Sequence, residues 1–98
     1  MNMQITIGIA SFSFYDDRMV VIIDKEEVVL TKAEVVSAST ALNYELPWKC
    51  RELEIRPAPY GATVSINDPA GGRVCQGIET KEVMALMWAF ISHYGVNP

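Results

Sequence analysis

The stretch Met19-Val20-Val21-Ile22-Ile23-Asp24-Lys25-Glu26-Glu27-Val28-Val29-Leu30-Thr31-Lys32-Ala33-Glu34-Val35 decides the fold. Its first five residues are an unbroken apolar, mostly β-branched run, which reads as a buried central strand. Asp24 to Glu27 is a charged turn, and Val28-Val29-Leu30 is a second, short strand. The pattern then switches. Thr31-Lys32-Ala33-Glu34 has the spacing of a capping box, in which the threonine hydroxyl accepts from the Glu34 N–H and the Glu34 carboxylate reaches back. Leu30 and Val35 stand where a hydrophobic staple needs them. Strand chemistry therefore gives way to a helix at Thr31. Asn43 and Pro47 end that helix.

On the N-terminal side, residues 4–14 read as one long strand. Ile5, Ile7 and Ile9 alternate with Gln4, Thr6 and Gly8, after which Phe12 and Phe14 take the opposite parity. A one-residue slip of this kind predicts a bulge near Ala10-Ser11 or a strand covered on both faces. Tyr15-Asp16-Asp17-Arg18 is the turn that follows.

On the C-terminal side, 44–49 reads as a loop and 51–56 as a strand, with Leu53 and Ile55 facing inward. Pro57 to Gly61 is a connection, because prolines do not sit inside a central strand. Residues 62–67 alternate again. Asn67 to Gly72 is a turn, 73–78 a sixth strand, and the last helix runs from about Thr80 to Tyr94. The expected order is βββαβββα: one α+β domain over residues 1–98, with two three-stranded meanders, each followed by a helix packed on a mostly antiparallel sheet. Thr31-Lys32 and Thr80-Lys81 both open a helix after a meander, which hints at a duplicated unit.

The chain has 98 residues, half of them apolar, with a net charge of −4. That supports one core and argues against disorder. The eight basic residues are scattered, so direct nucleic-acid binding is not expected. No apolar stretch is long enough for a membrane span and no leader pattern appears, so a cytoplasmic location is expected. Cys50 and Cys75 are too far apart for a zinc pattern and read as reduced thiols, half or fully buried in strands.

Site chemistry is sparse. His93 stands alone on the polar side of the last helix, near its end, where the helix dipole favours it when protonated. No nucleophile motif accompanies it. Asp16, Asp17, Asp24, Glu26 and Glu27 fall in two turns at opposite ends of one strand, roughly 20 Å apart, and cannot share a metal. They read as solvated turns, or as negative patches that steer a basic partner. The loop from Asp68 to Arg73 lacks phosphate-loop spacing and reads as a hairpin turn. No catalytic residue, metal or cofactor is expected.

The last helix carries the strongest signal. Val83, Leu86, Met87, Phe90, Ile91 and Tyr94 make an ordinary core stripe of roughly 140°, but Met84 and Trp88 widen the apolar arc to about 200°. Either the helix is covered on two sides within the domain, or Met84 and Trp88 meet another chain. The second possibility makes the chain a non-enzymatic protein-binding module. Its partner is another protein, with a basic surface as the complementary case, met by Met84 and Trp88 and steered by Asp16, Asp17, Glu26 and Glu27. Self-association through the same helix or an edge strand is a variant. Two alternatives remain. One is a small-molecule-binding or enzymatic domain with a pocket lined by Tyr15, Tyr44, Trp48 and Tyr60. The other is a structural subunit of a larger assembly. In character the chain (short, acidic, motif-poor, with capped helices) is similar in kind to accessory and inhibitor proteins of phages and mobile elements. No motif specific to a family is present, and inhibition of a host nucleic-acid-binding machine by occluding its surface is the reading that suits the negative charge.

Overall fold

Gly8 is where the sequence-based expectation first fails. It adopts φ 58°, and with Ile9 it forms a two-residue turn that folds the expected long strand back on itself. In the computed structural model, which describes residues 3–95, this gives two strands, β1 (Met3–Ile7) and β2 (Ala10–Phe14). The parity change is thereby explained without a bulge. A two-residue turn pairs Ile7 with Ala10, so Ile5 and Ile7 on β1 share a face with Phe12 and Phe14 on β2.

Two further hairpins complete the first sheet: β3 (Arg18–Ile23) pairs with β2, and β4 (Glu26–Thr31) pairs with β3, in the order β1-β2-β3-β4. Glu26 and Glu27 thus belong to β4, and only Asp24 and Lys25 remain in the turn. The α1 helix (Lys32–Asn43) follows directly, opened by the expected capping box: the Glu34 N–H donates to Thr31 Oγ1 at 3.2 Å, and the Thr31 N–H donates to Glu34 Oε1 at 2.8 Å.

The second half repeats the plan. β5 (Trp48–Cys50), β6 (Leu53–Ala58), β7 (Gly61–Asn67) and β8 (Arg73–Glu79) form a second antiparallel sheet in that order, and α2 (Thr80–Tyr94) follows. The expected 3+3 meanders on one sheet are therefore corrected to two four-stranded sheets. Residues 48–50 are a short strand rather than loop. Pro57 lies within β6, where it pairs with Ala62, in place of the expected connection. It is tolerated there because its nitrogen faces the side of β6 that the three-residue β5 does not reach. The repeat extends to the helix starts: Glu79 N–H donates to Glu82 Oε1, as Thr31 N–H does to Glu34, 48 positions earlier.

The inner faces of both sheets and the facing sides of both helices form one buried cluster. Phe12, Phe14, Met19, Val21, Ile23 and Leu30 come from the first sheet, and Leu53, Ile55, Val64, Ile66 and Ile78 from the second. α1 packs on β3, β4, β5 and α2, and α2 packs on β7 and β8. Phe14 meets Phe90 edge-on, with ring centroids 5.6 Å apart, so α2 also reaches the first sheet. Cys50 lies on the inner face of edge strand β5, half-buried, whereas Cys75 sits exposed on edge strand β8 and pairs across to Ser65 of β7. The expectation that both thiols are at least half-buried is corrected for Cys75, and the two cannot bridge from opposite edges of the sheet. Among the described residues, no helix is long and apolar enough to cross a membrane.

Candidate functional site

α2 is anchored at both ends. At its start, the Thr80 N–H and hydroxyl both donate to the Tyr60 carbonyl, at 2.8 and 2.9 Å. At its end, the Tyr94 hydroxyl donates to the Arg18 carbonyl at 2.6 Å, and His93 Nε2 lies 3.0 Å from the Tyr15 carbonyl. Burial pushes the Tyr94 phenol above its ordinary value. His93, expected on the polar side, is instead half-buried, with its ring 4.6 Å from that of Tyr94.

Between these anchors the helix buries Leu86, Ala89 and Phe90 and half-buries Val83 and Met87. The side chain of Ile91, placed in the same stripe by the sequence, lies outside the described residues. Lys81, Met84, Ala85, Trp88 and Ser92 face solvent. Met84 is 57% exposed and Trp88 65% exposed. They are four residues apart, about 6 Å along one face of the helix. α1 packs against α2 but does not cover them, because its short side chains Val35, Ala38, Ala41 and Leu42 are already spent on the core.

Between the start of α2, the end of α1 and the β6–β7 hairpin lies a cleft of about 80 Å³. Ala41, Leu42, Leu46, Ile55, Pro57 and Val83 contribute its apolar lining, with Glu45 and Thr80 as polar members. Leu46 is 54% exposed at its rim. The sequence reading missed Leu46, since nothing in the string places a loop leucine beside the start of α2.

The acidic residues divide. Asp16 and Asp17 occupy the β2–β3 turn, the same turn that fastens the end of α2, and Asp17 pairs with Arg18 at 2.9 Å. Glu26 and Glu27 lie at the other end of β3, opposite Ile23 and Ile22. Only the first pair belongs to a turn that touches α2, and it does so at His93 and Tyr94. The four aromatic residues do not converge, and none lines the cleft. The Tyr15 ring carries the Arg18 guanidinium at 4.7 Å. Tyr44 ends α1 in solvent, and Trp48 donates from Nε1 to Ser37 Oγ at 2.9 Å. Tyr60 lies over Gly77, with its hydroxyl 3.3 Å from Thr63 Oγ1.

A charged cluster joins the two halves. Arg51, at φ 53°, donates to both carboxylate oxygens of Glu34, at 2.7 and 3.0 Å, and to the Val29 carbonyl. The Cys50 thiol donates to Glu34 Oε2 at 2.8 Å. Arg51 above all, then Cys50 and the Thr31 N–H, holds the Glu34 carboxyl well below the usual carboxylate range. Burial, and then the Glu34 contact, pushes the Cys50 thiol up, so it is a poor nucleophile. Its partners are internal, which makes this cluster a tie between sheets. The Asp68 loop closes on itself, with the Ala70 N–H donating to Asp68 Oδ1. Among the described residues, no group of three or more His, Cys, Asp or Glu could hold a metal ion.

No protein-family model, curated protein or solved structure matches the chain.

Proposed function

We propose that this chain is a non-enzymatic protein-binding module whose anchor is the exposed face of α2. The observation that carries this reading is the solvent exposure of Met84 and Trp88, one turn apart, on a helix whose remaining faces are already engaged. An exposed tryptophan is costly to leave wet and is the residue type most enriched at binding hot spots. Methionine adapts to irregular apolar partners. The partner is a protein presenting an apolar knob ringed by basic groups. Asp16 and Asp17, at the end of α2, then speed encounter, and a nucleic-acid-binding protein is one class that carries such a surface. A cleft of about 80 Å³ is too small for a drug-sized ligand, which needs roughly 300 Å³ or more, and this weighs against a small-molecule pocket.

The test is a pull-down from host lysate with tagged wild type and Trp88→Asp in parallel, read by mass spectrometry. Trp88→Asp keeps its circular dichroism and melting profile, because the side chain contributes little to the core, and it loses a stoichiometric partner that wild type holds. A Trp88→Asp chain that unfolds, or one that holds the same partner equally well, removes the basis of the reading.

A further inference from the structure

Each sheet has two edges, and an unpaired edge is a template for another strand unless something blocks it. Three of the four edges carry a device that discourages such pairing. On β4, the Thr31 N–H is taken by Glu34 and the Val29 carbonyl by Arg51, and Glu26 and Glu27 add charge. On β8, the Glu79 N–H is taken by Glu82 and the Gly77 carbonyl by the Gln76 side chain, which also receives the Ile9 N–H. β5 is three residues long and carries Lys49.

β1 has none of these devices. It reads Met3-Gln4-Ile5-Thr6-Ile7, without a charge or a proline. The two-residue turn at Gly8-Ile9 makes Ile7–Ala10 a hydrogen-bonded pair, so Ile5 and Met3 also bond to β2 while Gln4 and Thr6 point their N–H and C=O groups away from it. Those four groups have no partner among the described residues. Met3 and Ile5 are turned to the inner face yet remain partly open, because among the described residues no strand pairs beyond β1.

We propose that β1 pairs antiparallel with β1 of a second copy of this chain, about a two-fold axis at Ile5. The register is set by hydrogen-bond arithmetic. Gln4 opposite Thr6 of the second copy satisfies all four outward groups on each chain, whereas Gln4 opposite Gln4 satisfies only those of Gln4 among the described residues. The same register sets Ile5 beside Ile5 and Met3 beside Ile7 on the inner face, which covers the apolar surface left open there. The strand is thus complementary to itself, as a two-fold contact requires, and brings no like charges together. The product is one continuous eight-stranded sheet carrying two α2 faces. The pairing is independent of any role for Met84 and Trp88.

The experiment is sedimentation equilibrium of the full chain from micromolar to millimolar concentration, with Thr6→Pro alongside. Proline at 6 removes an outward N–H only and keeps the β1–β2 ladder. By symmetry it deletes two of the four intermolecular bonds, raising the dimer dissociation constant roughly 30-fold. Thr6→Lys is the second variant, for the case in which proline disturbs folding. In a Cys75→Ser background, Ile5→Cys then forms a covalent dimer under mild oxidation. A mass that stays at one chain throughout overturns the proposal, as does a folded Thr6 variant that dimerises like wild type. Dimers abolished by Trp88→Asp but not by Thr6→Pro also overturn it, and a reversible dimer in which Ile5→Cys does not cross-link overturns the register.

Discussion

Replacing Glu34 by Gln tests whether the two halves are held by charge as well as by packing. The substitution keeps shape and retains an oxygen for the Thr31 N–H, but removes the charge that Arg51 grips through two nitrogens, at 2.7 and 3.0 Å. Charge-assisted bonds are individually worth about 1.5–3 kcal/mol when buried. Here the side chains are 25% and 46% exposed, so screening reduces the pair toward surface values, and a loss of about 1.5 kcal/mol at neutral pH is expected. The pH dependence follows from the depressed carboxyl. A group whose folded pKa lies below its unfolded value stabilises fully above the unfolded value, near 4.3 for glutamate, and loses that contribution as pH falls toward the folded one. Urea unfolding of wild type and Glu34→Gln, followed by far-ultraviolet circular dichroism, therefore gives curves separated at pH 7 that converge progressively as pH falls below about 5. In an Arg51→Met background, the Glu34→Gln cost at pH 7 falls to a few tenths of a kcal/mol, about the limit of additivity for uncoupled sites. A separation that stays constant down to low pH, or an undiminished cost without Arg51, refutes the assignment of the tie to this ion pair.

Two further substitutions probe the backbone and the core. Gly61 opens β7 at φ 150°, and a Cβ there would collide with the Ile78 carbonyl and lie 2.8 Å from the Thr80 nitrogen, so Gly61→Ala should cost about 3 kcal/mol in urea unfolding; a cost under about 1 kcal/mol would show that the turn can shift. Ser39 is fully buried on α1, and its hydroxyl has no hydrogen-bond partner among the described residues, so Ser39→Ala should raise the melting temperature by several degrees; a lower melting temperature would mean that the hydroxyl is satisfied.

What the string made legible is what local chemistry decides. The capping box at Thr31 needs only residues 31 and 34, and it formed as the spacing predicts. The alternation of β6 and β7, and the separation of Asp16 and Asp17 from Glu26 and Glu27 by β3, follow from period two alone. The exposure of Met84 and Trp88 was legible as an arc too wide for one core face, although which way it resolved depended on how little α1 could cover. The hairpin at Gly8 was hidden because Ile9 is an unusual turn residue and the apolar pattern runs through it. β5 was hidden by its length: three residues carry no period. Arg51 against Glu34, His93 against the Tyr15 carbonyl, and Leu46 in one cleft with Val83 bring distant segments together, for which no spacing rule exists.

Those distant contacts also bear on function. The two ββββα units are not independent beads, because each helix is fastened to the opposite half. α1 of the first unit is held by Trp48 and Cys50 of β5 and by Arg51 in the turn that follows it. α2 of the second unit ends on Tyr15 and Arg18 and sets Phe90 edge-on against Phe14, all from the first unit. With its start also tied to Tyr60, α2 is fixed at both ends by elements of different halves. A helix held in this way has little freedom to roll Trp88 and Met84 into the core. A partner meeting that face therefore meets one conformation and loses little ordering entropy on binding, which is the condition under which a small anchor can support a specific contact.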